Sequence, residues 1–483
     1  MRGWLANAQA KPPAPPGMNV PETTSLVVER DEQLSRQLTA GQLSMIAIGG
    51  AIGTGLFLGS SLAMHTAGPG VIVSYLIGAV IALLFMGALS EMAVAHPTAG
   101  SFGVYAELYL NPWAGFTVRY TYWAAQCIAI GGEATAIAIY CQWWFPSSPR
   151  WLWVLAFSIA LVYVNARSVG SFGSFEYWFS MIKVVAIVLF IALGAALLFG
   201  IGPLKAIGFS NVTAHGGFLP TGWSGVWMAM VFVIFSYMGT EVVAVTAGEA
   251  KDPHTAVPKA MRSMVGRLIL FYLGSIAVLI AIVPWNQIQP GSGVDASPFV
   301  KVFSLIGVPA AAHIINFVVI TAAASSMNCN LYLCSRMIFS LARGGYAPAA
   351  LGGVSSRGTP LPALLVSAAG LGIALLISVL SPDRAYVYLF GVSLFGGLYA
   401  WLIIFVTHLS FRPKWERMGK PRLPVRMIGF PVTTIIGTAA IVAIMATTWW
   451  VEGMRIALVA GIPWLGLLTV AYFLASKRLV AQN

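Results

Sequence analysis

Charge is what this sequence has least of. Of 483 residues only 9% are Asp, Glu, Lys or Arg, while 58% are hydrophobic. A water-soluble domain carries roughly 25% charged residues. A soluble fold this apolar would leave large greasy surfaces facing water, so the composition excludes an ordinary globular domain and fits lipid as the solvent. Cysteine is sparse as well. Cys127, Cys141, Cys329 and Cys334 show neither metal-ligand nor redox spacing and read as buried free thiols. The six histidines, His65, His96, His215, His254, His313 and His408, are dispersed. They offer no metal-ligand spacing and are read as surface or interfacial residues. No P-loop or dinucleotide fingerprint appears, and no nucleophile–base pairing. An enzyme is therefore not expected, and neither is a bound cofactor or metal. Residues 1–40 lack a signal-peptide pattern; with Lys11-Pro12-Pro13-Ala14-Pro15-Pro16 they read as an extended polar tail, and the first apolar segment is expected to remain in place.

What is abundant is long apolar runs. About twelve segments approach the ~20 residues that cross ~30 Å of hydrocarbon: 41–66, 70–94, 113–144, 151–168, 174–200, 223–247, 262–284, 309–341, 360–380, 385–410, 430–450 and 456–475. The net charge of +12 need not mean nucleic acid, because the cations sit in short loops. One set of loops holds Lys251, Lys259, Arg262, Arg267, Arg336, Arg343, Arg357 and the run from Arg412 to Arg426. The other holds only Arg150, Lys205, Lys301, Arg384 and Arg455. By the positive-inside rule both termini are expected to be cytoplasmic. The stretch Thr98–Asn111, punctuated by Pro97 and Gly100, reads as a short amphipathic helix at the membrane surface. Asn286–Pro298 reads as the long outer connection.

Two segments carry interruptions. The first contains Gly49-Gly50-Ala51-Ile52-Gly53-Thr54-Gly55, poor material for a straight helix. A break at membrane depth is tolerated where it lines a cavity. It would expose amides that suit a carboxylate. Close helix packing by small residues is the other reading. The sixth segment contains Ser236-Tyr237-Met238-Gly239-Thr240-Glu241. Paired interruptions in corresponding positions of two halves point to an inverted-repeat transporter.

Charges at membrane depth are costly and few. Glu133 lies mid-segment 3, Lys183 mid-segment 5 and Glu241 at the second interruption. Arg119 and Glu176 lie nearer segment ends and are expected to reach toward the interface. Desolvation disfavours a charged ammonium, which makes Lys183 a candidate for gaining and losing a proton during a cycle. A permanently charged lysine paired to helix-end carbonyls is the alternative. Gln126 and Glu133, two helical turns apart, share a face. Glu133 suits a substrate ammonium, a proton, or a packing hydrogen bond. Ser325, Ser326, Asn328 and Asn330 form a polar cluster in segment 8, either interhelical glue or cavity lining.

Several stretches together carry a resemblance: Gly49–Phe57 (GGAIGTGLF), Ala67–Pro69, Glu91–Tyr105 (EMAVAHPTAGSFGVY), Asn165, Phe175–Val184 (FEYWFSMIKV), Phe235–Pro253 (FSYMGTEVVAVTAGEAKDP) and Thr321–Arg336. From about residue 36 to 475 the sequence resembles amino acid permeases of the amino acid–polyamine–organocation superfamily, in their bacterial amino acid transporter branch. The resemblance implies an all-α membrane protein of leucine-transporter-like fold. Residues 41–200 and 223–410 would form two inverted five-helix repeats with broken helices 1 and 6, followed by two further helices in 430–475. It implies amides of Gly53, Thr54 and Gly55 on the substrate carboxylate, and carbonyls of Ala51, Phe235 and Met238 on the α-amino group. Phe235 would also cap the pocket. Lys183 would stand where relatives driven by sodium hold the ion, with Ser325 or Ser326 beside it. Glu241 matches an acid of proton-linked gating, and Gln126 and Glu133 match positions lining the side-chain pocket. The expected activity is proton-coupled uptake of neutral or hydrophobic L-amino acids across a bacterial inner membrane, with the proton as coupling ion. An exchanger, a permease for cationic amino acids and, less favoured, a membrane nutrient sensor are the alternatives. The expected partners are an amino acid and the lipid bilayer, with no nucleic acid. Monomer and homodimer are both open.

Overall fold

The computed structural model describes residues 34–57, 59–201, 206–288, 298–305, 310–380 and 385–482. The Pro-rich segment, Lys205, Arg384 and most of the 286–298 connection lie outside the described residues. The architecture is all-helical. α1 (Ala40–Ala51), α2 (Thr54–Phe57) and α3 (Gly59–Ala67) are followed by α4 (Val71–Ala95), α5 (Ser101–Tyr109), α6 (Pro112–Gln142), α7 (Arg150–Arg167) and α8 (Val169–Phe199). Then come α9 (Gly222–Tyr237), α10 (Val242–Thr246), α11 (Pro253–Ile282), α12 (Pro298–Leu305), α13 (Ala311–Arg343), α14 (Leu361–Leu380), α15 (Ala385–Arg417), α16 (Val432–Thr447) and α17 (Ile456–Gln482). Among the described residues the only strand-like pairing is an isolated parallel bridge between Leu38 and Ala250.

Each of the twelve expected segments is helical. Among the described residues, eight helical runs are long and apolar enough to cross a membrane, with shorter apolar helices at Ala40–Ala51, Leu361–Gly370 and Val432–Thr447. Local signals set several ends. Thr39 and Gln42 form a reciprocal capping box at the start of α1. The Asn111 side chain accepts from Ala114 N–H ahead of Pro112, which opens α6. Gly200, at φ +67°, closes α8.

α6 is the central post, packed against α13, α15, α14 and α5. α8 and α17 instead turn large apolar residues outward, among them Val185, Leu189, Ile462, Leu467 and Phe473. Apolar side chains spread over the outside of a tightly packed bundle are what a lipid-facing surface requires.

Four expectations need correction. α5 is not an amphipathic surface helix, since Phe102, Val104, Tyr105, Ala106 and Tyr109 are all buried. Arg119 does not reach an interface. It is buried and donates to Glu107 (2.6 Å), Gly115 O (2.8 Å) and Ser340 (3.0 Å), so protein acceptors replace water. Its stem lies against Gly103, where a Cβ would meet Arg119 Cγ at 2.2 Å. Glu176 is fully buried. His96 and His408 are buried too. His96 sits 2.7 Å from the Tyr109 hydroxyl, and His408 joins Glu91 (2.9 Å), which also accepts from Arg412 (2.7 Å).

Candidate substrate cavity between two broken helices

The first apolar segment breaks where its glycines fall. α1 stops at Ala51, Ile52 leaves helical geometry (φ −90°, ψ 89°), and α2 restarts at Thr54. The sixth breaks likewise. α9 stops at Tyr237, Met238 is extended, and Gly239 takes φ +94° before α10. The two breaks meet backbone to backbone. A Cβ on Gly239 would lie 2.2 Å from Gly50 O, so both the dihedral and the contact demand glycine.

Breaking a helix strands its last carbonyls, and their destinations define the site. Lys183, fully buried on α8, donates to Gly49 O (2.6 Å) and Ile52 O (2.8 Å). The Tyr272 hydroxyl on α11 donates toward Ala51 O (2.9 Å) and Ser236 O (2.5 Å). Phe235 O accepts from Met238 N–H at 3.1 Å.

Between the breaks lies a cavity of about 40 Å³, room for roughly three waters at about 10–15 Å³ each. Of the residues singled out from sequence, Gly50, Ala51, Gly53, Gly55, Gln126, Glu133, Phe235, Met238, Gly239, Ser326 and Asn330 line it. Thr54 is buried in the first turn of α2. Glu133 is 6% exposed. One of its oxygens accepts from Ser326 (2.9 Å), and the other has no hydrogen-bond partner among the described residues. A buried carboxylate oxygen left without a donor is costly, and here it belongs to a residue of the cavity wall.

The remaining candidates sit behind the wall. Glu241 accepts from Tyr122 O–H (2.7 Å), Gly239 N–H (3.0 Å) and Trp401 N–H (3.4 Å), bracing the second break from α6 and α15. Ser325 donates to Glu176, which also accepts from Asn328 (3.0 Å). Asn328 in turn accepts from Asn165 (2.7 Å) on α7. The two serines thus bond carboxylates, and Lys183 bonds backbone carbonyls. Sequence reasoning did not single out Ala129, Ser393 and Gly397 as wall residues. Ala129 was accessible, lying three residues after Gln126 on the face shared with Glu133. Ser393 and Gly397, four apart on α15, carried no local signal. A Cβ on Gly397 would meet Met238 Sδ at 2.4 Å, so this glycine makes room for the Met238 side chain. Tyr272 was missed for the same reason, whereas Glu176, read from sequence as reaching toward the interface, is buried beside Ser325 and Asn328. Among the described residues no cluster of three or more His, Cys, Asp or Glu could hold a metal ion.

Residues 42–483 match the family described as Amino acid permease. The chain is 42% identical over 451 residues to the Gamma-aminobutyric acid permease of Bacillus subtilis (strain 168), covering 93% of this chain and 95% of that one. It is 39% identical over 453 residues to the Aromatic amino acid transport protein AroP of Salmonella typhimurium (strain SL1344), with 93% and 97% covered. It is 36% identical over 445 residues to the Probable threonine/serine transporter YbxG of Bacillus subtilis (strain 168), with 92% and 95% covered. With broken apolar helices around a polar cavity and this similarity along nearly its whole length, the chain belongs to the amino acid permease family: it is a multi-pass membrane transporter of amino acids and not an enzyme.

Proposed function

We propose that this permease is a proton-coupled importer of neutral or hydrophobic L-amino acids in a bacterial inner membrane, with both termini cytoplasmic. The observation that carries this reading is the convergence, in one small cavity, of unwound helix ends with the unpartnered oxygen of Glu133. Amides at the start of α2 suit the substrate carboxylate. Helix-end carbonyls around Ala51, Phe235 and Met238, each with a second lone pair, suit its ammonium. The rest of the wall is small or apolar: Gly53, Gly55, Ala129, Phe235, Met238 and Gly397. The relatives are named for aromatic amino acids, threonine or serine, and γ-aminobutyrate; the first two groups share the α-ammonium and carboxylate that this site would grip, and γ-aminobutyrate carries both on a longer spacer.

Residues 41–200 and 223–410 act as the two inverted repeats, and alternating access rocks the bundle that carries the breaks against the remaining helices. Lys183 couples the cycle. Its ammonium clamps the end of α1 through Gly49 O and Ile52 O, and loss of its proton would weaken that clamp from charge-assisted to neutral hydrogen bonds and ease the movement of α1. Glu241 holds Gly239 and would loosen the second break on protonation. A cationic amino acid permease is the second reading, favoured by the same Glu133 oxygen; an exchanger shares the geometry but needs no net proton movement.

The test is uptake into proteoliposomes from a panel of labelled amino acids, with and without an imposed inward proton gradient. Accumulation of a neutral amino acid that needs the gradient is expected. Exchange indifferent to the gradient, or uptake confined to lysine or arginine, would replace this reading with one of the other two.

A further inference from the structure

The unwound ends of the two broken helices are tied together by a side chain that belongs to neither. Tyr272 is fully buried on α11, and its hydroxyl faces Ala51 O at 2.9 Å and Ser236 O at 2.5 Å. Each carbonyl is among the last of its helix before a break, so the helix supplies it no partner. Two carbonyl oxygens aimed at one point repel each other, and a shared O–H between them turns repulsion into a tether. The ring cannot drift, because it packs against Tyr75 (centroids 6.1 Å apart) and Tyr237 (4.9 Å). The neighbouring hydroxyls have other work. Tyr237 donates to Tyr75 O (2.9 Å), and Tyr75 lies 3.4 Å from Ser236 Oγ, which donates to Gly55 O (3.1 Å).

We propose that Tyr272 is a positioning residue for substrate binding: its hydroxyl sets the spacing of the two breaks from behind, so that the backbone groups in front converge on the amino acid. This rests on the reading of the cavity as the substrate site. Ala51, whose carbonyl takes the hydroxyl, lines the cavity, and Phe235, adjacent to Ser236, lines it opposite. Removing the hydroxyl leaves the ring contacts in place and lets the carbonyls part. The cost falls on binding the substrate, before the transporter moves.

The experiment is initial-rate uptake in proteoliposomes by the full chain, using whichever labelled L-amino acid the wild type takes up from a pool of the twenty. Tyr272→Phe is expected to raise KM about tenfold, equivalent to about 1.4 kcal/mol, with Vmax within about twofold. Tyr105→Phe removes a buried hydroxyl that also donates to a backbone carbonyl, His96 O (2.8 Å), but outside both breaks, and is expected to leave KM unchanged. Tyr272→p-aminophenylalanine keeps an N–H donor at the para position and is expected to recover most of the lost affinity; it also serves if the phenylalanine variant does not fold. The proposal is overturned if Tyr272→Phe leaves KM unchanged, if it lowers Vmax alone, if Tyr105→Phe raises KM equally, or if the p-aminophenylalanine variant recovers nothing. The underlying reading is tested separately by Gly53→Val, whose Cβ would stand 2.8 Å from Ser326 Oγ and 2.9 Å from Glu133 Oε1. Wild-type uptake by that variant would remove the cavity itself as the substrate site, and no uptake of any of the twenty by the wild type would remove the reading that an L-amino acid is its substrate.

Discussion

Lys183 illustrates how one side chain can hold a helix end and also serve as a switch. Its ammonium occupies two stranded carbonyls, Gly49 O and Ile52 O, in a buried site. Lys183→Ala is expected to abolish accumulation driven by a pH gradient, measured as the steady-state ratio of inside to outside substrate. Accumulation at the wild-type ratio would reduce Lys183 to a structural charge. Gly239 is held by a positive φ and by a backbone contact on Gly50. Gly239→Ala is expected to cost about 2 kcal/mol or more in strain and to lower uptake at least tenfold, read from thermal midpoint and initial rate together. His96, just beyond α4, has its pKa pushed down to about 4 by burial and, secondarily, by the nearby Lys420 charge. Between about pH 6.5 and 4 the unfolded chain binds a proton that the folded protein refuses, so stability falls as the pH falls through this window. The penalty is about 2 kcal/mol at pH 5 relative to pH 7. His96→Gln should therefore lose less of its thermal midpoint on acidification than the wild type does. Lys183 and Gly239 could be picked from sequence because charge and glycine are conspicuous in an apolar run. The partners that give them meaning could not, since they lie on other helices.

At the scale of elements, the breaks matter because of what docks on them. The segment before α1 pairs with the chain after α10: Leu38 N–H donates to Glu249 O (3.1 Å), and Lys251 N–H donates to Leu38 O (3.0 Å). Glu249 is in turn gripped by Arg336 on α13 through Nε (3.0 Å) and Nη2 (3.2 Å), and by the Tyr332 hydroxyl (2.7 Å). These bonds join the ends of both broken helices to α13 at one end of the bundle. Removing one partner of a buried ion pair typically costs about 3–5 kcal/mol. Glu249→Gln is expected to lower the thermal midpoint in detergent clearly more than Glu416→Gln, which loses an exposed pair with Arg426 worth about 0–1 kcal/mol. Equal shifts would show that the buried pair is not what holds this end. Arg336 and Glu249 both stood in quoted motifs, yet nothing local said that residues 87 apart in sequence would pair.

For the whole molecule, the loop charges make a topological prediction that the fold allows to be read cleanly. All four native cysteines are buried, so an introduced surface cysteine is labelled over a low background. Lys420→Cys is expected to react with a membrane-impermeant maleimide only from the cytoplasmic side, and Arg455→Cys only from outside. Labelling of both from one side would invert or discard the positive-inside assignment.

The sequence by itself determined the solvent, the rough bounds of the apolar helical segments, and the places where two of them break. Each of these is local: a run of apolar residues long enough to cross hydrocarbon, or four glycines within seven positions. It also determined the family, because the motifs run along nearly the whole chain. Only the tertiary structure decided that Arg119 and Glu176 are buried rather than interfacial, and that α5 is packed rather than spread on a surface. It also decided that Ser325 and Ser326 bond carboxylates, and that Tyr272 ties the two breaks together. Burial and hydrogen bonding depend on which helices become neighbours, and contacts such as Asn165 with Asn328 or Glu241 with Trp401 join residues more than 150 positions apart. Hydropathy places a charge at a depth in the membrane; only packing supplies the group that it faces there.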